Sequence, residues 1–196
     1  MARPFESVSV WDVGVRGFHW SLLLVFTGAY LSAEFNEIEF HEIFGYGLIF
    51  LIIFRIIWGF VGSPYARFRS FIFSPRLTLD YIQSLHSGSP AHYLGHNPLG
   101  ALMVFTLLAC LNGLAFTGLI TLAGIEFEGP LLSLVVNFKD ELIYLIQDLH
   151  EILATVMLVL ISLHVAGVVL ASMQHKENLI ISMFTGKKKK VQMGDE

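Results

Sequence analysis

Four long apolar stretches dominate the pattern of hydrophobic and polar positions along this chain. They cover residues 13–33, 43–61, 99–124 and 146–172, and polar or turn-forming residues separate them. A helix needs about 20 predominantly apolar residues to cross the hydrocarbon core of a bilayer, and each stretch meets that requirement. The pattern therefore predicts four transmembrane helices.

The connections between these stretches are short except for residues 62–98. Prolines and glycines interrupt that segment and leave room for a short surface helix at 76–85. The apolar run at 131–136 predicts a segment at the membrane interface. The sequence shows no internal repeat and no soluble domain, so we predict a single all-α domain over residues 1–196, an integral membrane four-helix up-down bundle. Bundles of this kind build cofactor sites between facing helices.

The composition agrees with a membrane protein. Hydrophobic residues make up 55% of the chain, charged residues 14%, and the mean hydropathy is +0.66. A soluble domain of this length needs more polar surface, so membrane lipid is an expected partner and nucleic acid is not. Because Cys110 is the single cysteine, an intrachain disulfide, a c-type haem attachment motif and a cysteine-ligated iron–sulfur cluster are excluded.

The basic residues are distributed unevenly among the connections. Eleven of the twelve Lys and Arg residues lie near the termini, at the end of the second stretch or in residues 62–98, and Lys139 is the exception. The other two connections are acidic. Basic segments stay on the cytoplasmic side of a membrane, so both termini are predicted to be cytoplasmic. We expect the first stretch to be retained as a membrane span. If it were instead removed as a signal peptide, His19, which is a candidate cofactor ligand, would be lost with it.

Four of the eight histidines lie within or at the ends of the predicted spans. A polar imidazole in hydrocarbon needs a partner, so an intramembrane histidine indicates a functional site. His19 and His164 fall at the cytoplasmic ends of their helices, whereas His41 and His150 fall at the opposite ends. The sequence therefore predicts two pairs, His19 with His164 and His41 with His150.

The spacing on the fourth span supports this pairing. His150 and His164 are fourteen residues apart, which brings them within about 40° of the same helix face and about 21 Å apart along the axis. Histidine is a common axial ligand of haem iron, and small residues lie one turn from three of the four histidines: Gly45, Ala154 and Gly167. Two b-type haems, each held by two imidazoles, fit this arrangement.

Two arginines are candidate partners for the haem propionates. Arg55 lies fourteen residues after His41 on the second span, and Arg16 lies one turn before His19. A buried guanidinium requires an anion, which a propionate would supply. The alternative for Arg55 is that its side chain extends along the helix to the aqueous interface.

The chain resembles the bacterial cytochrome b561 family, which is related to the di-haem cytochrome b subunits of nickel–iron hydrogenases and formate dehydrogenases. The resemblance covers nearly the whole length. The motifs that carry it are VWDVGVRGFHW at 10–20, HEIFGY at 41–46, RIIWGFVGSPYARF at 55–68, YLGHNPLGALMV at 93–104, HE at 150–151, HVAG at 164–167 and HKENLIISMFTGKKKK at 175–190.

The resemblance implies two haem b groups, with axial ligands at His19, His41, His150 and His164, in the inner membrane of a bacterium. It also implies a quinone pocket near the cytoplasmic haem, for which His96, Asn97 and His164 are the candidate residues. His86 and His92 are expected to be solvated loop residues, whereas a proton-relay role stays open for His96 and His175.

These observations favour a respiratory electron-transfer protein, with possible quinone oxidoreductase activity, that connects an external donor to a membrane quinone. The acidic loops either attract a basic donor such as a c-type cytochrome or simply remain solvated. Three alternatives stay open: an anchor subunit of a larger dehydrogenase or hydrogenase, direct oxidation or reduction of a small diffusing species, and a histidine-based metal or proton carrier. The donor, the direction of electron flow and the oligomeric state are not evident from the residues.

Overall fold

A computed structural model of the protein describes residues 7–88 and 91–189. Seven α-helices account for most of these residues. A 3-10 turn at Phe68–Ser70 precedes the third helix, and π-helical turns at Leu122–Glu126 continue the fourth. The helices are α1 (Val13–Glu34), α2 (Ile38–Val61), α3 (Pro75–His86), α4 (Pro98–Thr121), α5 (Leu132–Val135), α6 (Asp140–Gln174) and α7 (Leu179–Thr185).

Three helices in the described part of the chain are long and apolar enough to cross a membrane. They are α2, α4 with its π-helical continuation to Glu126, and α6. The 22-residue α1 is not among them, since it carries Arg16, His19 and other polar residues. The protein is thus largely helical with three clear candidate spans, and the fourth span, the up-down bundle and the side on which each loop lies stay predictions.

The long helices begin earlier than the apolar pattern predicted. α2 begins at Ile38 and not at residue 43, and α6 begins at Asp140 and not at residue 146. Acidic residues occupy the first turns of both helices, Glu39 in α2 and Asp140 in α6. Negative charge at a helix N-terminus interacts favourably with the helix dipole. A prediction from hydrophobicity alone therefore places the first residues of these helices too late in the sequence.

A small two-stranded sheet corrects the all-α prediction. β1 (Ser7–Ser9) pairs antiparallel with β2 (Lys187–Lys189). Gly186, which ends α7 with a φ of 79°, accepts hydrogen bonds on its carbonyl from the backbone N–H groups of Val10 at 2.8 Å and Trp11 at 3.1 Å. The basic segment near the C-terminus is therefore partly folded against the residues that precede α1.

The helices contribute to two compact units. One unit comprises the described parts of Met1–Trp20, Phe54–Val104 and Leu163–Glu196, and the other comprises Ser21–Ile53 and Phe105–Ser162. His19 and His164 belong to the first unit, and His41 and His150 belong to the second. Each predicted histidine pair therefore lies within a single unit.

In the first unit, Asp12 connects the start of α1 to the end of α2. Its carboxylate accepts hydrogen bonds from the backbone N–H of Val15 at 2.8 Å, from the indole N–H of Trp58 at 3.1 Å and from the hydroxyl of Ser63. Burial raises the pKa of Asp12, but the bonds from Ser63, Val15 and Trp58 outweigh it, and the pKa lies below the ordinary 3.8. The contacts between the start of α1 and the end of α2 therefore stabilise the ionised form of Asp12.

We expect Asp12→Ala to lower the apparent melting temperature of the detergent-solubilised protein. A buried donor that loses its acceptor costs about 1–3 kcal/mol. Because the folded-state pKa is depressed, the stabilisation is complete above the unfolded-state value and is lost as the pH falls below it. Asp80→Ala on α3, where Asp80 is exposed, is the matched control. Equal melting temperatures for the two variants would contradict this role.

Candidate functional site

The imidazoles of His41 and His150 face one another in the second unit. Their ring centroids lie 6.1 Å apart, and the ring planes are nearly perpendicular at 86°. His41 comes from the first turns of α2, and His150 lies in the third turn of α6. The structure thus brings together the two histidines that the sequence predicts as a pair.

Hydrogen bonds fix the orientation of both rings. The Nδ1 of His41 lies 2.9 Å from the carbonyl oxygen of Ala29 in α1, and because a carbonyl can only accept, Nδ1 carries the proton. The Nδ1 of His150 lies 2.9 Å from the hydroxyl oxygen of Thr117 in α4. That hydroxyl donates its own proton to the carbonyl of Gly113 at 2.8 Å, so it accepts from His150. In both residues the Nε2 lone pair is therefore free to bind a metal.

His19 and His164 form an equivalent pair in the first unit. Their ring centroids lie 6.4 Å apart with an angle of 52° between the planes. The ring of Trp20 contacts His19 edge-on at 5.1 Å. The Nδ1 of His19 is buried and has no hydrogen-bond partner among the described residues, an arrangement that is costly unless another group satisfies the nitrogen.

The separation within each pair matches the requirement of a bis-imidazole iron complex. A histidine nitrogen binds a metal at about 2.0 Å, and the ring centre lies about 1.1 Å further away, so two imidazoles on opposite sides of one iron have centres about 6.2 Å apart. The observed values of 6.1 and 6.4 Å differ from this by less than 0.3 Å. The separations of both pairs therefore fit an interposed iron.

The number of protein ligands also distinguishes haem from a bare ion. Among the described residues, no group of three or more His, Cys, Asp or Glu side chains is arranged to hold a metal ion. A structural zinc site usually needs four protein ligands, whereas haem supplies four porphyrin nitrogens and needs only two axial ones. Two isolated imidazoles therefore suit haem better than they suit a transported metal ion.

Glycines next to the histidines leave space for a flat group. A Cβ atom placed on Gly45, one turn after His41, would meet no other atom within 4 Å, and the same holds for Gly167 after His164. By contrast, a Cβ on Gly118 would lie 3.1 Å from the His150 ring. The first two glycines are thus bordered by open space, while the third allows α4 to approach the imidazole.

The two candidate arginines lie in the first unit, with His19 and His164. Arg55 is buried, with 4% of its surface exposed, and its guanidinium lies 4.7 Å from the centre of the Phe68 ring. Its Nη1 has no hydrogen-bond partner in the described part of the chain. Arg16 donates from Nη1 to the carbonyl of Phe184, and its Nε is buried without a partner. Each arginine therefore retains a donor that an anion could satisfy.

His96 and Asn97 precede α4. The ring of His96 lies between Phe71 at 4.5 Å and Trp11 at 4.8 Å, and its Nδ1 is buried without a partner in the described residues. Burial, followed by the charges of Arg55 and Lys188 and by His164, lowers the pKa of His96 to about 3. The imidazole is therefore neutral at physiological pH.

Asn97, which the family resemblance suggests as a quinone contact, also has a structural role. Its side-chain oxygen accepts from the backbone N–H of Gly100 at 2.7 Å, which is the contact of a helix N-cap. The side-chain amide N–H₂ is not part of that cap. Any role of Asn97 toward a ligand would have to use those donors.

Two functional features were missed from the sequence. Thr117 was not considered, although a threonine on an apolar helix that faces a predicted ligand could have suggested a hydrogen bond to it. Glu177 was missed because it lies outside the spans, yet it is buried with 9% of its surface exposed and contacts His92 at 3.7 Å. His92, expected as a solvated loop residue, has 23% of its side chain exposed.

Comparison with known proteins identifies a family. The family model of prokaryotic cytochrome b561 matches residues 10–186. A probable Ni/Fe-hydrogenase B-type cytochrome subunit of Rhodobacter capsulatus is 29% identical over an alignment of 133 residues, which covers 54% of this chain and 51% of that relative. The chain thus spans about half the length of this curated relative. No solved structure matches the chain.

Proposed function

The chain belongs to the prokaryotic cytochrome b561 family, and on this premise we propose that it is a membrane electron-transfer protein with two b-type haems. The observation that carries the proposal is the pair of imidazole couples, with ring centroids 6.1 and 6.4 Å apart. His41 and His150 bind one haem iron, and His19 and His164 bind the other. The bound haems supply one-electron redox chemistry, while the protein supplies ligation, orientation and electrostatics.

The propionates of the haem at His19 and His164 are the proposed partners of Arg55 and Arg16. Burial of the Arg55 guanidinium supports this role over extension of the side chain to the interface, because its Nη1 is inside the protein without a partner among the described residues. Burial of a guanidinium carries a desolvation cost of several kcal/mol, and the negative charge of Asp12 offsets the cost for Arg55 only in part. A carboxylate of the haem would offset that cost.

We place the quinone next to the haem of His19 and His164, with His96 and Asn97 as polar contacts. A neutral imidazole can donate a hydrogen bond from one nitrogen and accept on the other, which is what a quinone carbonyl and the resulting hydroxyl require. The ring of His96 is held between two aromatic rings. The side-chain amide of Asn97 offers a second donor.

Electrons enter, in this proposal, from a donor outside the bacterial inner membrane. The segments 34–42 and 126–148, which include the first turns of α2 and α6, are acidic, and they would attract a basic carrier such as a small c-type cytochrome. Such attraction raises the association rate and weakens with salt. A salt-independent rate of electron entry would indicate that these charges only keep the loops solvated.

A second candidate function is that of a subunit which takes electrons from a bound hydrogenase or dehydrogenase. The observation that favours it is the similarity to a probable Ni/Fe-hydrogenase B-type cytochrome subunit. Co-purification at native expression levels distinguishes the two. A stable complex with a larger redox enzyme would support the subunit, and electron transfer by the isolated chain from a diffusing donor would support the independent cytochrome.

The test of the proposed function is electron transfer in proteoliposomes that contain the purified chain and a quinone. A reduced donor is added outside, and haem reduction and quinol formation are followed optically. We expect quinol to form only when both the protein and the quinone are present. Haem reduction without quinol formation would contradict the quinone assignment but leave electron transfer intact.

We expect Thr117→Val to raise the midpoint potential of the haem at His41 and His150 and to weaken haem retention there by about 10–100-fold. The hydroxyl accepts from His150 Nδ1, and its loss makes the imidazole a poorer donor to ferric iron. Potentiometric titration in detergent measures the change. Thr155→Val is the matched control, because Thr155 is exposed and bonds only its own helix backbone. Identical potentials for both variants would exclude an orienting role.

A further inference from the structure

The chain turns sharply after α6 and points Glu177 inward. The backbone N–H of Glu177 donates to the carbonyl of Ser172 at 3.1 Å, and Lys176 adopts a left-handed φ of 49°. This is the hydrogen-bond pattern of a helix C-terminus that usually has glycine at the left-handed position. Asn178 then caps α7 by accepting from the N–H of Ile181 at 2.9 Å. Glu177 is thus held between two well-defined helix ends.

Two basic side chains contact the Glu177 carboxylate, and a third lies beside one of them. Its Oε2 lies 3.7 Å from Nε2 of His92 and 4.0 Å from Nζ of Lys188, and the ring of His175 lies 5.1 Å from that of His92. We call these four residues the Glu177 cluster. They come from the segment before α4, from the end of α6 and from β2, so the cluster depends on the sheet that the sequence did not predict.

Burial of the charged side chains in the Glu177 cluster costs solvation free energy, and this cost indicates that the cluster has a role beyond packing. Glu177 has 9% and Lys188 7% of its surface exposed. Burial lowers the pKa of Lys188, opposed by Glu177. Burial also lowers the pKa of His175, assisted by His92 and Lys188 and opposed by Glu177. A simple ion pair is a poor source of stability at such a position, whereas a group of coupled acids and bases can exchange a proton with little change in net solvation.

Aromatic and imidazole groups connect the Glu177 cluster to the proposed quinone contact. The Nζ of Lys188 lies 5.8 Å from the ring centre of Trp11, and the Trp11 ring lies 4.8 Å from that of His96. The charge of Lys188 and the ring of His164 both act on His96. His96 therefore feels the charges of both Lys188 and His164, so an electron at the haem of His164 can act on the Glu177 cluster through its charge.

We propose that the Glu177 cluster takes up a proton from water when an electron reaches the haem held by His19 and His164, so that the proton compensates the added negative charge. The inference rests on the proposed function. Reduction of a quinone to a quinol consumes two electrons and two protons. The external one-electron donor is oxidised twice, and each electron is accompanied by one proton that enters at the partly exposed His92 and His175.

A purely structural cluster would tie β2 to the end of α6 without exchanging protons. The two roles differ in a readout that needs no quinone. If the cluster takes up a proton on haem reduction, the midpoint potential of that haem falls as the pH rises between the pKa values of the oxidised and reduced states. A structural cluster adds nothing to such a slope, so its disruption would change stability and leave the slope of the wild type.

The experiment is a potentiometric titration of the purified protein in detergent at several pH values, for the wild type, Glu177→Gln and Glu177→Asp. We expect the wild type and Glu177→Asp to show the slope and Glu177→Gln to lose it. Asp80→Asn is the control, because Asp80 is an exposed carboxylate of the same unit on α3. A wild-type slope in Glu177→Gln, or no slope in the wild type, would overturn the proposal.

A second measurement follows reoxidation of the pre-reduced haem after mixing with quinone. Loss of a proton donor typically slows such a step by about 100-fold, so we expect Glu177→Gln to be slow and Glu177→Asp to recover much of the rate. His175→Gln serves the same purpose should Glu177→Gln fail to fold. If quinone does not oxidise the wild-type haem, the quinone assignment fails, and the potential titration still decides whether the cluster takes up a proton.

Discussion

Replacing His150 with alanine is expected to reduce the haem content from two to one per chain. The variant removes one of the two imidazoles proposed to hold this haem, whose rings lie 6.1 Å apart, and no group of three or more His, Cys, Asp or Glu side chains among the described residues could hold a metal ion instead. The His19 pair lies in the other compact unit, so its haem should persist. Haem content is measured by pyridine haemochrome against protein concentration.

Three controls make the His150→Ala result specific. His164→Ala should remove the other haem, and a double variant should bind none. His86→Ala should retain both haems, because His86 is exposed and bonds only the carbonyl of Ile82 in its own helix. Two haems in His150→Ala, or equal loss in His86→Ala, would show that the imidazole pairs do not hold the cofactor.

Arg55→Leu is expected to lower the midpoint potential of the haem at His19 and His164. A fixed positive charge favours the reduced haem, and its removal from a site of effective dielectric near 20 shifts the potential by roughly 50–100 mV. Arg55 is almost fully buried, so solvent screens its charge only weakly. The potential of the other haem should change little, and redox titration that resolves both haems measures the difference.

Arg55→Lys separates charge from geometry. A lysine retains the positive charge but cannot form the two-pronged contact of a guanidinium with a carboxylate, so we expect an intermediate potential. Arg69→Leu is the control, because Arg69 is exposed in the same unit. An Arg55→Leu variant with the wild-type potential would place the guanidinium away from the haem and refute the propionate contact.

The sequence predicted the histidine pairing because helix geometry is regular. Fourteen residues between His150 and His164 place both imidazoles near one face of α6, and the structure then brings each close to its partner. The apolar pattern also located the long helices, with errors at the ends where acidic first turns extend α2 and α6. Short-range periodicity was sufficient for this part of the fold.

Contacts between segments distant in sequence could not be predicted in the same way. The sheet joins residue 7 to residue 189, and nothing in the periodicity of three-residue strands indicates such pairing. Burial of Glu177 depends on that sheet and on the left-handed turn at Lys176, which is a conformation that sequence patterns assign to glycine. The Glu177 cluster was therefore visible only in three dimensions.

Hydrogen bonds to the proposed haem ligands could not be predicted from the sequence either. Thr117 precedes His150 by 33 positions, and the carbonyl of Ala29 that accepts from His41 has no side-chain signature at all. Asn97 was selected by resemblance to a quinone pocket, whereas its side-chain oxygen caps α4. Residue type indicates which groups can bind a haem, but only the packing of the helices determines which partners orient them.

The most direct test of the account is the haem content and optical spectrum of the purified wild-type protein. We expect two b-type haems per chain by pyridine haemochrome, sharp reduced bands on addition of dithionite, and low-spin ferric signals from two bis-imidazole sites in the oxidised state. A colourless protein that contains zinc or copper, or a high-spin haem with a single imidazole, would contradict it.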